Sequence, residues 1–323
     1  MTVGRGWAKL SAMGDGATAR AYHAATKHSW ESVRRRARFL DWENKPDPFK
    51  VYEAELPRVD LPEPPPTGVP AVEAIGAWVG AATEGSRAPE LASLARLLRL
   101  GAGVHRTVRF PGGDEIHFRT YASAGALYPV EIYVACGDLA GVGAGLYHFD
   151  PSGPALVRLR EGDPRGHLVR AAAGEDAVAR APAVLALTGI PWRTAWKYGE
   201  RGYRHLFWDA GTILANVLAL ATASGLPARV VLGFDDAEVE ALLGVDGRRE
   251  FPLCLVALGD GPPVAPASAP PPALDLPSRR LLPRELLFEA IAAVHGAGRL
   301  GVEEVAGWRG RWAGPAAGPV RLE

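Results

Sequence analysis

Apolar residues recur along this chain at two different spacings, and the alternation between them predicts a mixed fold. Helical spacing first appears over residues 22–40, where Trp30, Val33, Ala37 and Leu40 share a side and Thr26 can cap. It returns over 89–100, with Leu91, Leu94, Leu97 and Leu98 on one face and Gly101 and Gly103 just beyond. A third helix is expected near 163–173. The longest runs over 209–224, with Ala210, Ile213, Leu214, Val217, Leu218 and Ala221 on a mostly buried face and Gly225 closing it. Between these lie short apolar runs of strand type at 130–135, 183–187, 228–232 and 251–258, the last fully apolar as an interior strand would be. A turn is expected around Tyr147, His148, Phe149 and Asp150. Asp235 and Glu238 have capping-box spacing at the head of one more short helix.

Proline punctuates this pattern. Residues 1–20 are Gly- and Ala-rich and unpatterned, so they are expected to be frayed and disordered. Pro46, Pro48, Pro57, Pro62 and residues 64–66 make 46–66 an extended strap, part of an N-terminal unit spanning 21–70. A single α+β domain with a central sheet then occupies 71–260. A Pro-rich linker covers 261–280, and a helical tail at 281–323 carries Leu286, Leu287, Ala290, Ile291 and Val294 with Trp308 and Trp312. A tail this apolar should dock on a partner or on a second protomer.

Bulk properties narrow the function classes. The 323 residues are 48% hydrophobic and 22% charged, ordinary for a globular protein. With 36 basic and 36 acidic residues the net charge is zero, which points away from nucleic acid and anionic membrane and toward small-molecule or peptide ligands. Only Cys136 and Cys254 occur, both in apolar runs, so a disulfide framework and a four-thiolate zinc site are excluded. No secretory signal and no uninterrupted apolar span are visible, and a cytoplasmic location is expected. His23 and His28 lack companion ligands, so no metal is expected.

Two segments carry candidate chemistry. Ser123, Ala124, Gly125 and Ala126 form a turn of small residues that leaves main-chain N–H groups open to a flat or anionic group, while Tyr128 and Pro129 stiffen its exit into the next strand. Residues 196–205 place Lys197, Tyr198, Glu200, Arg201, Tyr203, Arg204 and His205 directly before the longest helix. A lysine beside a tyrosine can lower the phenol's pKa, or burial can lower the lysine's, so either can accept a proton near neutrality.

Together with the block Tyr22-His23-x-x-Thr26-Lys27-His28-Ser29, the strap from Asp41 to Tyr52, Gly145-Leu-Tyr-His148 and Gly233-Phe-Asp-Asp236, these segments resemble the SagB/ThcOx-type dehydrogenases of the nitroreductase-like superfamily, in family order over about 20–260. The resemblance implies an FMN-dependent nitroreductase-like fold, α+β with a mostly antiparallel central sheet flanked by helices, and flavin at the interface of a homodimer or of a heteromer with a related subunit. It implies dehydrogenation of a heterocycle or another amino-acid-derived group, such as azoline to azole, in peptide natural-product biosynthesis. Under it, Ser123, Ala124, Gly125, Ala126, Leu127, Tyr128 and Pro129 line the flavin, Asn216, Gly233 and Phe234 approach it, and Lys197 and Tyr198 are catalytic. Tyr198 is then expected to be the base, made more acidic by Lys197.

The sequence departs from the superfamily where an Arg-Arg-Ser-x-Arg run usually holds the FMN phosphate. Here the region reads Thr83-Glu-Gly-Ser-Arg-Ala88, leaving Arg87, with Arg119, Arg106 or Arg279 as substitutes. Two other readings follow: an NAD(P)H-dependent nitro or quinone reductase, or a flavin-poor scaffold subunit of a biosynthetic complex.

Overall fold

The computed structural model describes residues 16–35, 39–77, 87–113, 115–279 and 284–311. Seven strands form one sheet in which every neighbouring pair is antiparallel: β1 (Arg58–Asp60), β4 (Val130–Cys136), β5 (Gly145–Asp150), β6 (Ala155–Glu161), β7 (Ala183–Gly189), β8 (Ala228–Val231) and β9 (Phe251–Leu258), in spatial order β1-β6-β5-β4-β7-β9-β8. A separate hairpin pairs β2 (Val104–Arg109) with β3 (Glu115–Arg119). The expected α+β class and antiparallel sheet are what the chain adopts.

The core follows from the apolar runs. Every residue of β4, β7 and β9 is buried, because helices cover both faces of the sheet. On one face α4 (Leu91–Ala102) and α8 (Gly202–Ala223) pack against Val130, Ile132 and Val134; on the other α5 (Arg165–Ala171), α6 (Asp176–Arg180) and α9 (Asp236–Leu243) pack against Tyr133 and Ala135. Pro252, which cannot donate to a ladder, is tolerated in interior β9 because the register shifts there, between Leu187 and Thr188 of β7. Asp235 caps α9 by accepting from the Glu238 N–H at 2.9 Å.

Several expectations are corrected. The first helix is two, α1 (Ala17–Thr26) and α2 (Trp30–Arg35), broken where Lys27 turns extended; Thr26 ends α1, its hydroxyl bonded to the Tyr22 carbonyl at 2.7 Å, instead of starting a helix. Residues 17–20 are helical rather than frayed, and residues 1–15 lie outside the described residues. The expected turn at 147–150 is strand β5, paired on both edges. α8 begins seven residues before the expected start and follows α7 (Pro191–Tyr198) after a single turn. It also buries only one face, leaving Phe207 44% and Trp208 51% exposed. By length and composition alone the stretch Pro191–Ala223 could cross a membrane. It bends at Gly199 and packs one face on the sheet.

The linker and tail fold back onto their own domain. Linker backbone N–H groups at Val264, Ala267 and Leu274 bond to Ala179, Gly166 and Ala241, and Tyr52 of the strap bridges to Ser278. In the tail, α10 (Glu289–Gly296) packs Ala290 on Tyr22 of α1 and stacks His295 on Phe251 at 3.6 Å; α11 (Val302–Arg311) buries Val305 fully. The Arg299 guanidinium grips Glu240, and the Leu300 and Val302 N–H groups bond to Asp236 and Asp235. The described part of α10 and α11 thus finds cover on its own chain, while Leu286 and Leu287 ahead of α10 stay about half exposed. Trp312 lies outside the described residues.

Candidate active site at the turn before the fourth strand

Residues 123–129 connect the β3 hairpin to β4 through a backbone that three residues hold in the left-handed region: Gly125 at φ 70°, Ala126 at 53° and Tyr128 at 46°. Two non-glycine residues so placed within three positions store strain that the surroundings must enforce. Ser123 Oγ accepts from the Tyr128 N–H at 2.9 Å and donates to Asp209 Oδ2 at 2.5 Å, while Asp209 Oδ1 takes the Ala124 N–H at 3.4 Å. Beyond the turn, the Tyr128 carbonyl accepts from the buried Arg193 guanidinium, and the Pro129 carbonyl accepts from the Ile190 N–H. The result is an exposed Gly125 on a rigid frame.

The second segment meets it there. A Cβ built on Gly125 would lie 2.9 Å from the Tyr198 hydroxyl and 3.1 Å from Lys197 Nζ, so the turn, the phenol and the amine converge at one point. That approach depends on the sharp corner between α7 and α8. Gly199 takes φ 59°, ψ −142°, and at Gly202 a Cβ would strike the Ala195 backbone at 2.7 Å. Thr194 Oγ1 ties the corner by donating to the Gly202 carbonyl at 3.0 Å. The block at 22–29 covers the outside: the Tyr22 hydroxyl donates to the Glu200 carbonyl at 2.6 Å, and Arg201 and Arg204 bond to Thr26. Arg201 and Arg204 are therefore clamps.

Electrostatics at this corner correct the expected base. Burial and the nearby charge of Asp209 raise the Tyr198 pKa rather than lower it, which keeps the phenol protonated. Burial pushes Asp209 up to about 6, against the pull of its Ser123 and Ala124 hydrogen bonds. His205, edge-on to the Tyr198 ring at 4.1 Å, is pushed down to about 4 by burial, then by Arg201 and His28. Lys197 Nζ and Tyr198 OH have no hydrogen-bond partner among the described residues.

Of the expected cofactor positions, only some are brought together. Ser123, Ala124, Gly125 and Ala126 form the accessible rim; Leu127, Tyr128 and Pro129 are buried behind it, Leu127 against Trp192 and Trp196. Asn216 does not face the rim but holds backbone, donating to the Thr120 and Gly101 carbonyls at 3.3 and 3.4 Å. Arg119 is at the turn, yet its guanidinium is buried, bonded to the Pro48 carbonyl and placed over the Phe49 and Tyr128 rings. Arg87 donates to the Gly225 carbonyl at 2.6 Å, at the far end of α8 and roughly 24 Å from Asp209 at about 1.5 Å per residue. Residues 83–86 of that region lie outside the described residues. Phe234 packs into the core on the opposite face of the sheet from Tyr128. A Cβ on Gly233 would strike the Trp308 indole at 2.8 Å, because α11 covers that loop.

The exposed, strained backbone at Gly125 thus fits a flat ring pressed against it. Arg119 is buried and not open to a phosphate; Arg87 is exposed but lies at the far end of α8, and among the substitutes Arg106 and Arg279 are exposed. Asp209 was missed in the sequence. Its signal was an acid inside the most apolar helix of the chain, read there only as the helix start.

The sequence pattern of the nitroreductase family, whose members typically bind flavin, matches residues 86–260. The chain is 37% identical over 146 residues to MJ1384 of Methanocaldococcus jannaschii, a protein named for the nitroreductases, covering 45% of this chain and 72% of that one. It is 29% identical over 148 residues to the microcin B17-processing protein McbC of Escherichia coli, covering 44% of this chain and 54% of McbC. A crystal structure from Anabaena variabilis, described as a nitroreductase, superposes with a TM-score of 0.67 at 26% identity, covering 88% of this chain and 55% of that one. The chain therefore spans about half the length of McbC and of the Anabaena protein. The family pattern covers more than half of the chain, and the chain belongs to the nitroreductase family.

Proposed function

We propose that this protein is an FMN-dependent oxidoreductase of the SagB/ThcOx type that dehydrogenates a heterocycle or another amino-acid-derived group, such as azoline to azole, on a peptide precursor. The observation that carries the reading is the convergence of Gly125 with the Tyr198 hydroxyl and Lys197 Nζ, two ionisable groups with no hydrogen-bond partner among the described residues. The similarity to McbC, named for processing microcin B17, supports the substrate class. Flavin, when bound, supplies a two-electron acceptor. The chain's own part is to present the ring on the 123–126 backbone and to manage one proton beside it.

In this reading Tyr198 works protonated and donates a hydrogen bond to charge developing on the ligand, since burial and Asp209 hold its proton in place. Lys197 is the candidate to take the proton lost from carbon once a ligand covers its amine. The phosphate is held by Arg106 or by a cation of a second polypeptide. Val72, Ile75, Leu100, Phe207 and Trp208 are all exposed, and they favour a homodimer or a heteromer with a related subunit over a solitary chain.

Titration of purified protein with FMN, followed by turnover on an azoline peptide under oxygen, tests this. Bound flavin that reoxidises in air with aromatised product is the expected result. Rapid bleaching by NADPH with turnover of quinones instead would establish the reductase reading, which the identity to MJ1384 favours. Failure to bind FMN at all would leave the scaffold reading, which the burial of Arg119 and the distance of Arg87 from the turn favour.

A further inference from the structure

One edge of α8 carries three polar residues at helical spacing, and each is spent on the segment leading into the turn. Asp209 holds the Ser123 hydroxyl and the Ala124 N–H. One turn on, Thr212 Oγ1 lies 2.9 Å from the Ala122 carbonyl and 2.8 Å from the Asp209 carbonyl of its own helix, so its one proton is shared between them. Another turn on, Asn216 reaches the Thr120 carbonyl and, across the groove, the Gly101 carbonyl at the end of α4. Residues i, i+3 and i+7 of a helix share a face, so these contacts form a ladder along the backbone from 120 to 124. Apart from His205, the rest of the buried face, Leu206, Ala210, Ile213, Val217 and Ala221, is apolar.

A ladder of this kind has a mechanical use. Left-handed conformations at Gly125, Ala126 and Tyr128 persist only where neighbours over-determine them. Downstream the strand itself supplies the restraint, through Arg193 and Ile190. Upstream, the Thr120 N–H is held by the Gly103 carbonyl at 3.0 Å and the Arg119 N–H by the Tyr128 hydroxyl at 3.1 Å, but Ala122 is exposed and in no strand, so over 122–124 the side-chain restraint comes from α8. Asp209 is the rung closest to the strain. It is 3% exposed, and it reaches Ser123, whose hydroxyl in turn accepts the Tyr128 N–H across the turn.

We propose that Asp209 is the positioning residue of the site, with Thr212 and Asn216 as lesser rungs, setting the turn so that Gly125 faces Lys197 and Tyr198. The assignment rests on the flavin reading above for its ligand, but its geometry does not. The probe is FMN itself, and two readouts separate the ideas: FMN affinity with the position of the bound-flavin absorption band, and backbone hydrogen exchange over 120–126 in the flavin-free protein. Asp209→Leu is expected to weaken FMN binding about tenfold or more, as loss of a charged hydrogen-bond acceptor does, to shift the flavin band and to speed exchange at 122–126. Asp209→Asn, which keeps one acceptor, should recover most of both. Thr212→Val and Asn216→Leu should act in the same direction by roughly two- to fivefold.

Should Asp209→Leu fail to fold, Ser123→Ala removes the same link from the turn side. Unchanged exchange and FMN affinity within twofold of wild type in whichever variant folds would overturn the proposal. Wild-type protein that ignores FMN, with exchange still accelerated in the variant, would overturn the flavin reading and leave the positioning role standing.

Discussion

Two sets of lysine, tyrosine and carboxylate sit at the same end of the sheet, on opposite faces, and they are built in opposite ways. Under the strap, Lys50 Nζ lies 2.7 Å from Glu250 and 2.7 Å from the Tyr133 hydroxyl, while Tyr133 and Thr188 both donate to the other oxygen of Glu250. Alongside, Glu131 is shared between Arg193 at 2.5 Å and His148 at 3.0 Å. Burial alone would raise Glu131; Arg193 and His148 outweigh it and hold its carboxyl far below the usual range. Every charge there has a counter-charge, though Arg193 Nη2 and the Tyr52 hydroxyl are buried without a hydrogen-bond partner among the described residues. At the turn, Lys197 and Tyr198 are half-buried without hydrogen-bond partners among the described residues, and Asp209 is raised rather than lowered. A satisfied set holds the strap down, whereas an unsatisfied set has capacity left for a ligand.

The largest test of this contrast is to unpair the satisfied side. Lys50→Met leaves Glu250 buried without its cation, and loss of one partner of a buried pair costs about 3–5 kcal/mol. Urea denaturation should show that drop at neutral pH; a midpoint within error of wild type would mean that the pair is not structural. The same change on the other side should behave differently. Lys197→Ala is expected to cost roughly 10²-fold in turnover, about 2.7 kcal/mol of barrier, while stability stays within about 0.5 kcal/mol. Loss of stability with retained turnover would reverse the assignment of the two lysines.

Sequence patterning made the sheet legible because β4, β7 and β9 are apolar but for Glu131 and Thr188, and such runs admit little else once buried on both faces. It misread 147–150 because Tyr147, His148 and Asp150 look like turn residues. Strand pairing overrode that, with His148 satisfied by Glu131 across the pleat, a partner no local window contains. The two site segments were legible because small residues and clustered charge are local signals. Their meeting at Gly125 was not, since it depends on the corner at Gly199 and Gly202. The direction of the Tyr198 shift was hidden for the same reason: Lys197 is adjacent in sequence, but the groups that set the shift are burial and Asp209, eleven residues on.

The two regions should also respond to acid with opposite signs. Asp209, raised to about 6 from 3.8, binds its proton more tightly folded than unfolded, so its ionisation costs stability that returns as pH falls from about 6 toward 4. The shift corresponds to roughly 1–3 kcal/mol at about 1.4 kcal/mol per unit. Glu131 is lowered, so its contribution is present above the ordinary carboxylate range and is lost as pH falls below it. Stability measured between pH 7 and 4 should therefore rise less steeply, or fall, in Asp209→Asn relative to wild type, with the variant the more stable of the two at pH 7. Parallel curves for the two proteins would show that Asp209 is not strained by burial. A more stable variant that presents the flavin less well is the expected trade, because the carboxylate is kept for placement at a cost in stability.

The smallest effect expected falls on Gly125. An alanine there meets a left-handed φ, at about 1 kcal/mol, and a methyl group set between the Tyr198 hydroxyl at 2.9 Å and Lys197 Nζ at 3.1 Å. Both of those atoms end side chains that can yield, Lys197 more than Tyr198, whose ring is fixed against His205. The fold should therefore survive with a loss of about 1 kcal/mol, read by thermal denaturation, while the site loses the open backbone against which a flat ring would lie. On the satisfied face a single methyl should be felt differently. Val184→Ile in β7 would overpack a fully buried position and cost about 1–3 kcal/mol in stability without touching turnover. If Gly125→Ala instead leaves FMN binding and turnover intact, the meeting of turn, phenol and amine is a packing contact like those under the strap, and the contrast between the two faces disappears.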